Sequence, residues 1–568
     1  MNDGRLSAAF AARRRSPGGQ RQWGRIGAAI GLAALSSCTS IHNGGYQHYM
    51  KAAIEHQITV DAGEPALASA TRPAGRPATT FPSASQTLNL TLEKAILMGL
   101  ANNPSLIVQR YAPAIAQMNV EAQRGVFDPI LTAQTTAGKN SEPGSGGYTI
   151  TGSQTGQVGL SELLPTGTSV QAAANTTINN VEGSGGGQST STGGSITVTQ
   201  ALLQGASLRV NLAAIREARI GRRISDYQLR GVAQSIAAQI IQDYWAYALA
   251  RENVRILRQA VALAQQQEHQ ARELIRVGRI APSQFPAAQA EVATIREQLI
   301  SAEGNLRIAR LNLLSLIVAN EWNFWRRPLR LLNHPYVPRH ALSPLALHTE
   351  LALRMSPLLN EARLQIQQGN LVVVQTRDGL LPKLDLFITL GKTGYADAFG
   401  GSVDRLNGPD YQLLGGLQYS HPVFNRTARA NYQSALLSRD QDQAALANLV
   451  RSVELSVRTA YIQAQTARQE IIATAATRRA QAESLRATIG EFRVGESTSL
   501  LVAQAQNNLF SAQLGEVQAV VNYLDALTQL YLQEGSILER LSVAAPGAVP
   551  VRAIGPNWLR RWPDGYFH

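Results

Sequence analysis

Two periodicities follow one another along this chain, and the pair occurs twice. Leu384, Leu386, Ile388 and Leu390 fall on one side of an alternating run, and Lys383, Asp385, Phe387 and Thr389 on the other. That is the pattern of a strand with one apolar and one wet face. A second strand is expected at 413–424, and the first half holds comparable strands within 126–204, the last at 196–203. After the strands the apolar step changes to threes and fours. Ile236, Ile240, Tyr244, Tyr247, Val254, Leu257, Val261 and Ala264 make one such seam; Leu446, Val450, Val453, Val457, Tyr461 and Ala464 make the other. Narrow seams of this kind belong to long helices packed as in a coiled coil. The two helices run to Arg276-Val277-Gly278 and Arg493-Val494-Gly495, roughly 65–70 residues each and so on the order of 100 Å long. Shorter helices return to about Val318 and Leu532, with Ser283 and Ser497 or Ser499 as candidate N-caps. Moderate helices over Leu90–Arg124 and Leu345–Arg377 precede the strands.

The halves are in register. A shift of 253 carries Leu100 to Leu353, Pro104 to Pro357, Arg124 to Arg377, Pro129 to Pro382, Leu131 to Leu384 and Lys139 to Lys392. Further on, a shift of 217 carries Tyr244 to Tyr461 and Arg276-Val277-Gly278 to Arg493-Val494-Gly495. The difference of 36 locates an insertion in the first copy, within 141–195. There two Gly/Ser/Thr-rich stretches, 141–156 and 182–195, flank an alternating segment, which reads as an inserted loop or hairpin on the cell-surface side. The division is therefore 88–340 for the first repeat and 341–540 for the second, with a tail at 541–568.

Two strands per copy give four per chain, or six if the insertion is a hairpin. Four strands cannot close a barrel, and open edges are not tolerated in lipid, so such a chain must assemble. No run approaches the roughly 20 apolar residues of a membrane-spanning helix. The helices are too long for a bilayer to contain and must project into water.

The start of the chain sets the compartment. Six arginines precede or flank the short apolar run Ile26–Leu35, and Leu35-Ser36-Ser37-Cys38 follows as in a bacterial lipobox. Residues 1–37 read as a lipoprotein signal, Cys38 (the sole cysteine) as the lipidated first residue of the mature chain, and 38–87 as a Pro/Ala/Thr-rich tether. Of the net charge of +13, the signal carries +5, which leaves +8 spread along the mature chain without a basic block. Secretion and this spread exclude nucleic acid as a partner.

The ordered set of elements resembles the TolC family of outer-membrane efflux proteins from Leu88 to Leu538. The resemblance is carried by Gly125-Val-Phe-Asp-Pro-Ile-Leu131 entering the first strand, Thr199-Gln-Ala-Leu-Leu203 and Ser420-His-Pro-Val-Phe424 leaving the strands, the Arg-Val-Gly turns, and Leu163-Leu-Pro-Thr-Gly-Thr168. It implies an α+β membrane protein: a homotrimer whose twelve-stranded outer-membrane β-barrel continues into a periplasmic α-helical coiled-coil barrel, built from two tandem repeats. It also implies that Arg276, Val277, Gly278, Arg493, Val494 and Gly495 lie at the periplasmic tip. There they would dock a periplasmic adaptor protein, which links the duct to an inner-membrane transporter. The paired aspartates that ring the aperture in well-known members fall on Leu501 and Gln504, so that acidic gate is missing here, and Glu496 is the nearest carboxylate. No cofactor is implied.

Other signals point to no chemistry. His42, His48 and His56 lie at spacings without helical ligand geometry and belong to the tether. The glycine run at 183–187 lacks the Lys-Ser/Thr and helix of a phosphate loop. Tyr244-Trp245-Ala246-Tyr247 reads as helix-packing core, and no Ser/His/Asp or Cys/His set suggests an enzyme. The rival reading, a lipid-anchored periplasmic coiled-coil scaffold without a pore, leaves the alternating strands without a purpose.

Overall fold

The computed structural model describes residues 87–544 except 145–146, 183–186, 319–324, 326–327, 339–340 and 495. The proposed signal, Cys38, nearly all of the tether and most of the tail lie outside the described residues.

A short strand, β1 (Leu88–Leu90), leads into helices α1 (Leu92–Asn102) and α2 (Pro104–Arg124). Four long strands follow: β2 (Ile130–Gly144), β3 (Gly147–Leu163), β4 (Thr168–Glu182) and β5 (Gln188–Ala201). The chain then enters the 64-residue helix α3 (Ala213–Arg276) and returns in α4 (Phe285–Ile317). After β6 (Leu329–Leu331), which pairs parallel with β1, the order resumes with α5 (Leu345–Met355), α6 (Pro357–Asp378), β7 (Lys383–Ala396) and β8 (Gln412–Ser420). The 69-residue α7 (Arg426–Val494), α8 (Ser499–Glu534) and the short α9 (Ile537–Arg540) complete it. Among the described residues no helix is long and apolar enough to cross a membrane.

Each expected moderate helix is in fact a pair. Pro104 and Pro357 offer no N–H and push the residue before them out of the helical region, so Asn103 and Ser356 sit at ψ 122° and 121°. The break at Asn103 is built rather than merely tolerated. Its side chain caps α2 through the N–H groups of Ser105 and Leu106 and donates to the Leu316 carbonyl of α4.

The strands form one antiparallel sheet in the order β2-β3-β4-β5-β7-β8. The insertion is therefore no loop. Outside 145–146 and 183–187 its Gly/Ser/Thr-rich stretches are strand, because small and β-branched polar residues fit a pleated surface and pair with the neighbouring strands. The sheet holds six strands in one chain, four from the first repeat and two from the second, so the hairpin alternative for the insertion holds and the count of four per chain does not. At the helix end of the sheet the turn after β3 is drawn against the chain leaving β5. Asn211 donates to the carbonyls of Pro165 and Gly205, and a Cβ on Gly167 (φ +78°) would lie 2.3 Å from the Gly205 oxygen, so only glycine fits there.

The seams read from the sequence are the core. Ile240, Tyr244, Val254 and Ala264 of α3, and Val453, Val457 and Ala464 of α7, are buried, as are Trp245 and Tyr247. Next to the sheet, α2, α3, α6 and α7 pack side by side; farther away α4, α3, α8 and α7 do so.

Candidate functional site

Three places carry the functional geometry: the two faces of the sheet, the far ends of the helical hairpins, and a pair of carboxylates between α3 and α8.

One face of the sheet is apolar across every strand. The cross-strand register runs Leu131–Leu160–Ala172–Ile196–Leu390–Leu413 from β2 to β8. A second row runs Ala133–Val158–Ala174, and a third Val198–Ile388–Gly415. Leu131, Leu160, Ile196, Leu390, Leu413 and Leu417 are all exposed. Intervening residues make the other face, with Thr132, Gln134 and Thr136 beside Gly159, Gln157 and Thr155, then Ala173, Asn175 and Thr177. An exposed apolar face with a hydroxyl- and amide-rich opposite face is the alternation that outer-membrane barrel strands require. The alternation read at Lys383–Leu390 thus extends over six strands.

At the far end of the helices, α3 stops in a left-handed turn. Gly278 (φ +73°) donates to the Ile275 carbonyl and Arg279 N–H to that of Leu274, which ties off the last carbonyls. At the end of α7 the Glu496 N–H returns to the Glu491 carbonyl; Gly495 lies outside the described residues. Arg276, Val277, Arg493, Val494 and Glu496 are exposed. The structure brings the two turns together: Ser499 Oγ donates to Gln284 Oε1 (3.1 Å) and Asn507 Nδ2 to Glu291 Oε1 (2.7 Å). Between them lies a cleft of about 1060 Å³, walled by Leu274, Arg279, Phe492 and Val502 and floored by the buried Gln506. Leu501 and Gln504 share an exposed face of α8, one turn apart. The helix starts differ from expectation. Thr498, not Ser497 or Ser499, caps α8 by accepting from the Leu501 N–H, and Ser283 lies in a 3-10 turn before α4, which has no side-chain cap.

The carboxylate pair had no signal in the sequence. Burial pushes Asp525 up to about 7, the nearby Asp243 carboxylate adding to the rise, and burial raises Asp243 as well. One Asp525 oxygen is buried without a hydrogen-bond partner. Each aspartate adjoins a buried tyrosine or leucine on a helical seam, but no spacing rule joins two positions so far apart in the chain.

A family model for outer membrane efflux proteins matches residues 96–318 and again 349–536. The chain belongs to the outer membrane efflux protein family. The resemblance to TolC-type channels read from its motifs stands, and the family is one of channels rather than enzymes. Among relatives, this efflux protein is 28% identical over 349 residues to the cobalt-zinc-cadmium resistance protein CzcC of Cupriavidus metallidurans, covering 59% of this chain and 75% of that one. Its fold is similar to the Campylobacter jejuni CmeC outer membrane channel, with TM-score 0.58, 15% identity, and 84% of this chain and 98% of that one covered. It is likewise similar to the open-state Neisseria gonorrhoeae MtrE outer membrane channel, with TM-score 0.56, 17% identity, and 84% and 96% covered. The efflux protein is accordingly an outer-membrane channel subunit.

Proposed function

We propose that three copies of this chain form the outer-membrane duct of a tripartite efflux system. Their sheets close a barrel in the outer membrane, and their long helices form a coiled-coil tube in the periplasm. The carrying observation is the joining, in one chain, of a wall with an apolar and a polar face to helices of 64 and 69 residues. At 1.5 Å per residue those helices reach about 100 Å, the scale of a compartment rather than a bilayer. A pore-free scaffold leaves the apolar face of the sheet without a function.

In this reading Cys38 carries the lipid that ties the tether to the outer membrane. The two halves are tandem copies, supported by matching helix pairs of 11 and 21 residues against 11 and 22, and by the family model matching twice. The turns at Arg276-Val277-Gly278 and Arg493-Val494-Gly495 form the periplasmic tip. They present exposed cations and apolar residues to an adaptor protein, which couples the duct to an inner-membrane transporter. Leu501 and Gln504 face the aperture in place of paired aspartates, so closure there relies on packing, with Glu496 as the remaining carboxylate. The similarity to a cobalt-zinc-cadmium resistance protein makes divalent metal cations the first cargo to assay.

Photo-cross-linkers placed at Val277 and Val494 in intact cells test the docking role. Capture of a periplasmic adaptor from both positions, and from no position on β8, is the expected result. Failure of both to capture it, in cells that still export, would remove the tips from the interface.

A further inference from the structure

We propose that the inserted hairpin is built into the barrel, so that three copies close an eighteen-stranded wall whose bore matches the helical tube beneath it. This rests on the trimeric duct reading above and sharpens it at the outlet.

The hairpin β3–β4 cannot be lifted from the sheet without dismantling it. β2 pairs with β3 at 15 successive positions and β4 with β5 at 13, whereas β2 and β5 share no pairing. The faces agree as well. Val158, Leu160, Ala172 and Ala174 continue the apolar row from Leu131 to Ile196, so the hairpin needs the same lipid as its neighbours. A hairpin standing in water at the cell surface would have no use for that face.

The two edges are unpartnered within the chain, and β2 carries its Lys139, Glu142 and Pro143 only beyond Ile130–Gly138, a stretch as long as β8. β8, Gln412-Leu-Leu-Gly-Gly-Leu-Gln-Tyr-Ser420, has no charge and no proline, the usual guards of an edge that must stay single. Six strands alternate in direction, so β8 of one copy meets β2 of the next antiparallel, and the ring closes without a parallel seam. Six strands in each of three copies make eighteen.

Widths decide the consequence. With strands about 4.8 Å apart and tilted about 40°, eighteen strands make a ring about 36 Å across and twelve only about 24 Å. Each copy lays four helices side by side at any level; twelve helices in three copies, at about 9 Å spacing, make a ring about 35 Å across. Eighteen strands continue that ring at constant bore. The outlet is therefore an open vestibule, wide enough for bulky or polymeric solutes as well as ions, and any selection by size falls on the tips.

The test uses the full-length protein in outer-membrane fractions, with paired cysteines on the apolar face. Ala133→Cys with Val158→Cys joins β2 to β3, and Ala133→Cys with Gly194→Cys joins β2 to β5. A panel of β2 positions (Ala133, Thr135, Ala137) with Leu417→Cys joins β2 to β8 between copies. Expected are an intrachain link for the first pair, none for the second, interchain links from the panel, and eighteen strands around the trimer by electron cryomicroscopy. A β2–β5 link together with twelve strands in a trimer would overturn the inference and leave the duct standing. A closed ring of two copies, or no interchain link and no trimer, would overturn the trimeric reading itself. Polyethylene glycols added only on the barrel side of a planar bilayer give a second measure. Entry by polymers about 20 Å in diameter fits eighteen strands, and their exclusion from a conducting trimer refutes that width.

Discussion

Asp525→Asn separates a packing role for the buried carboxylate pair from none. Asp525 lies on α8 beside Asp243 of α3, and its pKa stands at about 7 against 3.8 for a free aspartate. A carboxyl whose pKa rises on folding holds its proton more tightly in the folded state. Its stabilising effect is complete below pH 3.8 and is lost as the pH climbs through about 7. The full difference in pKa corresponds to an upper bound of about 4 kcal/mol, and partial solvent access around the pair brings the expected loss to about 2 kcal/mol. Asparagine keeps the shape and removes the charge. Purified protein should therefore unfold at a lower temperature at pH 8.5 than at pH 5, and Asp525→Asn should abolish most of that difference. At pH 8.5 the variant should be the more stable by about 2 kcal/mol, a rise of about 2 °C for a chain this long. Tryptophan fluorescence during heating in detergent measures it. An identical pH response in the wild type and the variant would refute the reasoning.

Gly278→Val meets no neighbour within 4 Å but forces a side chain into φ +73°, at a local cost of about 1–2 kcal/mol. Export should fall while the trimer persists on native gels, and normal export would remove the turn from any docking role. Arg230, 1% exposed, reaches from α3 to the solvent-accessible Glu539 of α9; Arg230→Ala should cost about 2 kcal/mol, read as a less heat-resistant folded band. Thr498→Ala deletes the cap of α8 for about 1 kcal/mol, with faster hydrogen exchange confined to 499–502. Gly167→Ala drives a Cβ into the Gly205 carbonyl and should lower the yield of folded protein in the membrane, measured by heat modifiability.

How far the sequence led depended on the kind of element. The seams from Ile236 to Ala264 and from Leu446 to Ala464 were legible because a helix of more than 60 residues repeats its period many times. The Arg276-Val277-Gly278 turn was legible because glycine at a helix end has one dominant use. Within 141–195 the alternating segment was legible as one half of the loop-or-hairpin choice, but the Gly/Ser/Thr-rich stretches beside it were not legible as strand. A barrel strand needs one apolar face, and threonine, serine and glycine at alternate positions look like a linker until a partner strand is found. Pro104 and Pro357 did announce the breaks at Asn103 and Ser356, a signal outweighed by the apolar period on both sides. The meeting of Asp243 with Asp525, and of Ser499 with Gln284, depends on how two hairpins lie against each other, which no local pattern encodes.

The central claim is that this chain makes a transmembrane duct, and conductance in planar bilayers tests it most directly. Purified full-length protein, added from one side, should produce discrete and uniform current steps, larger in Gly278→Val if that change loosens the tip. A pure, folded trimer that inserts into the bilayer and passes no current would contradict the account.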